Sequence, residues 1–493
     1  MGQALAVLLG KAGHRVAAFE RFHDLYRLPR AVHLDHEVMR IVQSLDVAGA
    51  LAGELLPLHE YRWLGADGEP LLTLVGAVPT PSGWDPDYLF HQPALESALE
   101  DRIRLLGSVT VERGCAVEAI EAAADGVLRQ VRTGEGERTV AARWVIGADG
   151  ANSLVREGVG IGRRDLGFRE RWFVVDVEPR DMTALDLPRA CQWCDPARPT
   201  THVQSGTGHR RWEFMLLPDE DPGQFGEARA WELLAPWFGP QDGWLVRHAV
   251  YEFRSMLAER MRHGRVLLAG DAAHLTPPFL GQGLCAGLRD AANIAWKLDL
   301  VLRGVAGPAL LDTVEVERQP QNEWIIEFAI QLGRVLCELD PVKAAERDVL
   351  LRATKAPSAA DLPTLASGVV REGDAVAGRL GVQATVAMGG REGRLDDLTG
   401  GGFTLLARWG DPLAALAPEQ RDFLAALGVR VVSLDRAEDL DGRATAFLDE
   451  HVLHAVLTRP DFYVFGGAGA PEELPVLIDD LRAQIPTPEG AFR

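Results

Sequence analysis

A chain of 493 residues with 51 Lys plus Arg against 71 Asp plus Glu has a formal net charge of −20, which argues against phosphate-backbone binding as its main activity, because nucleic acid needs a positive face. Its 47% hydrophobic and 25% charged residues belong to an ordinary folded protein, about three domains by length. No run of 18 apolar residues is present for a membrane span, and five cysteines are too few for a disulfide framework.

The elements run as follows. Leu5, Leu8, Leu9 and Ala12 fall at helical spacing, Gly13 stops that helix, and Val16–Phe19 reads as a short buried strand ending in Glu20. A basic loop (Arg27, Pro29, Arg30) leads to a helix around His36–Leu45. Residues 60–90, rich in Trp, Gly and Pro, suggest a sheet excursion, and Pro93–Leu106 is helical. Thr110–Ala148 reads as hairpin strands with turns at Asp125-Gly126 and Gly134–Gly136. Residues 165–260 alternate short strands and polar turns, an antiparallel layer. Val266–Ala269 is a buried strand, and after a Gly/Pro loop a long helix runs from Gly283 to Leu302. Helices continue to about 355, residues 356–375 read as a linker, and 376–493 alternate strands (Phe403–Ala407, Val429–Ser433, Phe462–Phe465) with helices (Pro418–Leu427, Pro471–Gln484).

Three separated segments carry chemistry. Gly2-x-x-Leu5-Ala6, followed by Gly13-His14-x-Val16 and Glu20, has the form of the second half of a dinucleotide fingerprint, with the acidic residue placed for a ribose hydroxyl. An amphipathic helix before any strand would look similar. Val145-Ile146-Gly147-Ala148-Asp149-Gly150 ends a buried strand in a turn, with Ser153 where a helix begins; an ordinary Asp-Gly turn reads the same way. The third is the most specific: Gly270-Asp271-Ala272-Ala273-His274, then Pro277-Pro278, Gly281-Gln282-Gly283 and Asp290-Ala291-x-Asn293. A strand delivers Asp271, a Gly/Pro loop admits close backbone approach, and a helix N-terminus offers amides to developing negative charge. Cys191-x-x-Cys194 has zinc or redox spacing but no second pair, so no metal is assigned.

These residues resemble the FAD-dependent aromatic hydroxylases, the class A flavoprotein monooxygenases, and within them the 3-(3-hydroxyphenyl)propionate hydroxylase type. Supporting stretches are Leu28–Glu37, His91–Glu96 and Arg211–Pro218. The resemblance implies an α/β fold: a Rossmann-like FAD domain (1–165 and 260–340), an inserted β-rich substrate layer (166–259, with 60–90 contributing), a helical segment and linker (341–375), and a thioredoxin-like domain (376–493) without redox cysteines. It implies cofactor contacts from Gly2, Glu20, Arg21, Arg30, Gln92, Asp149, Asp271, Pro278, Gly281, Gln282, Gly283, Leu284 and Asn293. Trp212 and Phe214, alternating with Glu213 on a strand, either line the substrate pocket or pack in the core, Pro277 is placed in the pocket, and His36, Tyr88 and His202 are candidates for the catalytic base.

The implied reaction is NADPH- or NADH-dependent hydroxylation of a phenol by O2 through a flavin C4a-hydroperoxide, on a 3-(3-hydroxyphenyl)propionate-like substrate. The alternatives are an aromatic polyketide tailoring hydroxylase and an FAD-free scaffold. A cytoplasmic protein is expected, as a homodimer, with no nucleic-acid or membrane partner. The family begins with a strand and Gly-x-Gly-Pro-x-Gly, of which this sequence holds Gly2 alone; the expectation is that the true start lies upstream of Met1.

Overall fold

The computed structural model describes residues 1–25, 30–123, 126–133, 136–354 and 362–486. Arg27 and Pro29 of the expected basic loop, with Leu28 between them, lie outside these. So do Asp125, Gly134 and the head of the linker up to 361.

Helix α1 (Gly2–Lys11) buries Leu5, Val7 and Leu9, and Gly10 lets it close on Val109 where a side chain would strike. Gly13, at φ +86°, turns the chain into β1 (Val16–Glu20). β2 (His33–Asp35) leads directly into α2 (His36–Ser44), whose first turn is capped by the Asp35 carboxylate accepting from the Val38 amide. β2 pairs antiparallel with β3 (Asp87–Leu89). β1 pairs parallel with β4 (Val109–Arg113). β5 (Val145–Gly147) precedes α3 (Leu154–Gly158).

Next come the long strand β6 (Arg163–Pro179), β7 (Thr200–Ser205), β8 (His209–Met215) and the long strand β9 (Gly243–Ala258). They form the middle of an eight-stranded sheet closed on one side by His274–Leu275 and on the other by Ala190–Trp193, Glu60–Leu64 and Pro70–Val75. Of the 60–90 excursion, residues 60–75 thus enter this sheet as two strands, whereas Asp87–Leu89 pairs with β2. β10 (Val266–Leu268) pairs parallel with β5. Among the described residues, the β1–β4 pair and the β5–β10 pair are separate sheets. Both pack with α1, α2 and α4 (Gly283–Leu302) around one apolar core that includes Leu5, Val38, Val266 and Leu288. α5 (Asp312–Leu336) follows.

The C-terminal unit contains β11 (Thr404–Ala407), α6 (Pro418–Leu427), β12 (Arg430–Ser433), α7 (Arg443–Glu450), β13 (Ala455–Thr458), β14 (Val464–Ala468) and α8 (Leu474–Gln484). Its sheet runs β12-β11-β13-β14, with β11 parallel to β12 and the other two pairings antiparallel. Its core is continuous with the outer side of α4: Trp296 and Leu300 pack with Phe403, Leu405, Leu477 and Leu481. No described helix is long and apolar enough to cross a membrane.

Candidate active site

The turn between β10 and α4 is shaped by two glycines with left-handed backbones, Gly270 (φ +59°) and Gly281 (φ +65°). At Gly281 a Cβ would also come within 3.1 Å of His33, so the position demands glycine. Gln282 is the N-cap of α4 and makes no side-chain cap, so the first amides of a 20-residue helix have no partner within it. A Cβ at Gly283 would meet no atom within 4 Å, because this turn borders a cavity of about 1760 Å³. The same cavity is lined by Met1, Gln3 and Ala4 at the N-terminus of α1, which also lacks a side-chain cap.

Of the residues expected from the sequence, Arg30, Gln92, Asp271, Pro278, Gly281, Gln282, Gly283 and Leu284 line this cavity. Gln92 fixes the approach to it: its Oε1 accepts from the Arg30 amide (3.0 Å) and the Ala31 amide (2.7 Å). The Arg30 side chain stands 62% exposed at the cavity wall, 3.8 Å from the Glu96 carboxylate.

The remaining expected cofactor residues lie elsewhere. Gly2 sits just behind the lining, against Ala148. Glu20 accepts from the Phe22 amide and Arg21 stacks over the Phe22 ring, both outside the cavity wall. Asp149 accepts from Ser153 Oγ (2.5 Å) and the Val155 amide (3.0 Å), so it braces α3. Asn293 faces the C-terminal unit and donates to Glu317 (2.6 Å) and Asp461 (2.9 Å).

The substrate-pocket expectation is corrected by strand alternation. Trp212 and Phe214 point to the outer face of the sheet, among Phe173, Val175 and Phe238, and do not line the cavity; Pro277 does not line it either. Glu213, between them, does. The same alternation removes His202, which packs 4.6 Å from the Trp212 ring; burial lowers its pKa to about 3. Tyr88 exchanges hydrogen bonds with Asp85 away from the cavity, and burial pushes its hydroxyl up to about 12. His36 does line the cavity, with Nδ1 3.1 Å from Ser82 Oγ.

The inner face of the sheet carries groups that the sequence did not single out. Asp176 is fully buried and accepts from Arg211 Nε (2.7 Å), and it pairs with Arg247 (2.7 Å). Arg211, Glu213, Arg247 and Tyr251 all line the cavity. Burial raises the Glu213 carboxyl pKa despite Arg211 at 3.6 Å. A charged residue between two aromatics on a strand was the available signal. Beside the α4 turn, His33 places Nε2 2.8 Å from Asp87 and Nδ1 3.4 Å from the Gly281 carbonyl. Burial opposes its cation, but the Asp87 carboxylate outweighs burial and raises the His33 pKa well above its usual value.

Residues 1–329 match a family model described as FAD binding domain, and residues 378–484 match one described as HcaD C-terminal domain. The chain is 37% identical to a probable NADH-specific resorcinol 4-hydroxylase of Rhodococcus jostii (strain RHA1), covering 98% of this chain and 93% of that protein. It is 33% identical to a 3-(3-hydroxy-phenyl)propionate/3-hydroxycinnamic acid hydroxylase of Burkholderia cenocepacia (strain HI2424), over 94% of this chain and 91% of that one. Among solved structures, aklavinone-11 hydroxylase in a ternary complex with FAD and aklavinone superposes with a TM-score of 0.80 at 26% identity, covering 98% and 97% of the two chains.

Proposed function

This chain belongs to the class A flavoprotein aromatic hydroxylases, and on that premise we propose that it hydroxylates a single-ring phenol with an acidic side chain, of the 3-(3-hydroxyphenyl)propionate type. It is an FAD-dependent monooxygenase that consumes reduced nicotinamide and O2.

The residues present fit FAD. Two uncapped helix N-termini face one cavity, and each is a ready site for negative charge. The amides opening α1, with Arg30 and Gln92, would hold the pyrophosphate. Asp271 would take a ribitol hydroxyl, and the amides of Gly283 to Cys285 would meet the pyrimidine edge. When bound, FAD accepts hydride from the nicotinamide and activates O2. The chain supplies the rest. Tyr61, Trp63, Leu72 and Phe253 wall the cavity with apolar surface and exclude water. We assign Glu213 to take the phenolic proton at its carboxylate, because it is a cavity-lining carboxyl whose pKa burial raises above its usual value.

The observation that carries the substrate reading is the pair Arg211 and Arg247. Two guanidiniums line the cavity and share one buried carboxylate, Asp176, which favours an anionic group on the ligand. Steady-state oxidation of NADH by O2 across 3-(3-hydroxyphenyl)propionate, resorcinol and unsubstituted phenol tests it. The acid is expected to give the highest kcat/KM, and Arg247→Gln to raise KM for the acid alone. Equal rates on all three, with no effect of Arg247→Gln, would refute it. The cavity volume of about 1760 Å³ and the likeness to aklavinone-11 hydroxylase support a second reading, a polycyclic aromatic substrate; a tetracyclic phenol in the same assay would then be the preferred one.

The C-terminal unit is read as thioredoxin-like, supported by its β–α–β–α–β–β–α order and the β12-β11-β13-β14 sheet. It contains no cysteine, so dithiol chemistry is not its role. Five unpaired thiols support a reducing, cytoplasmic setting.

A further inference from the structure

The loop between β13 and β14 leaves the C-terminal unit and enters the FAD domain. Phe462 holds φ +72°, a conformation costly for a residue with a side chain. Hydrogen bonds from the Phe462 amide to the Arg459 carbonyl and from the Arg459 amide to the Tyr463 carbonyl keep the turn closed, and the Phe462 ring lies 4.5 Å under the Arg40 guanidinium. The turn presents Tyr463 to the large cavity.

Tyr463 Oη donates to Glu37 Oε1 at 2.8 Å and accepts from Gln321 Nε2 at 3.3 Å. Glu37 Oε2 accepts from Arg289 Nε at 2.6 Å. Arg289 then uses Nη1 on Gln282 Oε1 (3.0 Å) and Nη2 on Asp35 Oδ2 (2.5 Å). Gln282 Nε2 donates to that same Asp35 oxygen at 3.0 Å. All six side chains are buried. Gln282 is thus held at both ends of its amide, and it is the N-cap of α4, between the two glycines of the flavin-facing turn. Without the Tyr463 hydroxyl, Glu37 Oε1 would lose the donor found for it, and the carboxylate would be free to rotate away from Arg289.

We propose that Tyr463 is a positioning residue for the flavin-facing turn: through Glu37, Arg289 and Gln282 the C-terminal unit sets the backbone of residues 281–284. This gives the cysteine-free C-terminal unit a part in the active site. It rests on the turn meeting the flavin, but its first readout needs no flavin.

The test is Tyr463→Phe in the full chain, followed by hydrogen–deuterium exchange without added FAD and then by FAD titration. The expected result is at least a tenfold faster exchange of the Ala286 amide, which bonds to the Gln282 carbonyl, with β11 and β13 as protected as before. FAD should bind about tenfold more weakly, with a shifted visible band. Unchanged exchange at Ala286 would overturn the proposal, as would loosening confined to β11 and β13, because the tyrosine would then serve only its own unit. Should Tyr463→Phe fail to fold, Arg289→Lys keeps the charge but loses the fork; the same acceleration at Ala286 is expected, and its absence is equally decisive.

Discussion

Trp212 and Glu213 are neighbours in the chain and lie on opposite faces of one strand, and their substitutions should separate cleanly. Trp212→Ala empties the outer layer between Trp237 and Phe238 and should cost about 3–5 kcal/mol of stability, read by urea denaturation, with KM unchanged. Glu213→Gln should leave stability nearly intact and remove the acid limb of the pH–kcat profile, because a carboxyl held above its usual pKa works only once deprotonated. An unaltered profile would reject Glu213 as the proton acceptor. His202 gives a pH test of a different kind. Burial depresses its folded pKa to about 3, so below its ordinary pKa the unfolded chain takes up a proton that the folded one refuses. Stability should therefore fall as the pH drops from about 6.5 toward 3, by at most about 1.4 kcal/mol per pH unit from this group. His202→Gln should flatten that slope in denaturant midpoints measured between pH 7 and pH 5. Cys191 and Cys194 are buried thiols whose pKa values burial raises to about 12; neither should react with a maleimide at pH 7 until the chain is denatured.

α4 is the element on which the site depends. Its first turn meets the cavity, its middle carries Arg289 and Asp290, and its outer side anchors the C-terminal unit. Gly281→Val would force a β-branched residue into a left-handed backbone and push it against His33; the strain of about 1–3 kcal/mol falls on the turn itself. The expected outcome is loss of bound FAD, read from visible absorbance after gel filtration, with only a small fall in melting temperature. The limits of this helix, Gly283 to Leu302, were readable from the sequence, since its period and its Gly-x-Gly entry are local signals. So was the placement of Asp271 and the Gly281–Gly283 turn, because glycines and an aspartate at a strand end need only local geometry, whereas Glu20 and Asp149 of the other two segments turn to their own neighbours. The inner face of the sheet was not readable in the same way. Alternation shows that Trp212 and Glu213 part company, but only the packing of Trp231, Trp237 and Phe238 on the outside decides which face is dry. The same holds for Asn293: its spacing from Gly283 fits a ligand contact, yet its rotation about α4 turns it toward Glu317 and Asp461, residues remote in sequence. Tyr463 lies 426 residues from Glu37, beyond any local pattern.

Across the whole molecule, the FAD domain and the C-terminal unit are joined by a shared apolar core and a buried ionic cluster. Glu317 sits between Lys297 (2.8 Å) and Arg459 (2.7 Å) and also accepts from Asn293 and the Val369 amide. Glu317→Ala would leave two buried cations facing each other and should cost about 3–5 kcal/mol, measured by chemical denaturation. Loss of that coupling would release the turn that carries Tyr463, so binding of FAD should weaken along with stability. The claim on which everything else depends is that one cavity takes FAD between the N-termini of α1 and α4. A crystal structure of the protein with FAD measures this directly. The isoalloxazine pyrimidine edge is expected against the amides of Gly283 to Cys285 and the pyrophosphate near Gln3 and Arg30; electron density placing the flavin away from the first turn of α4, or a protein that stays colourless with excess FAD, would contradict it.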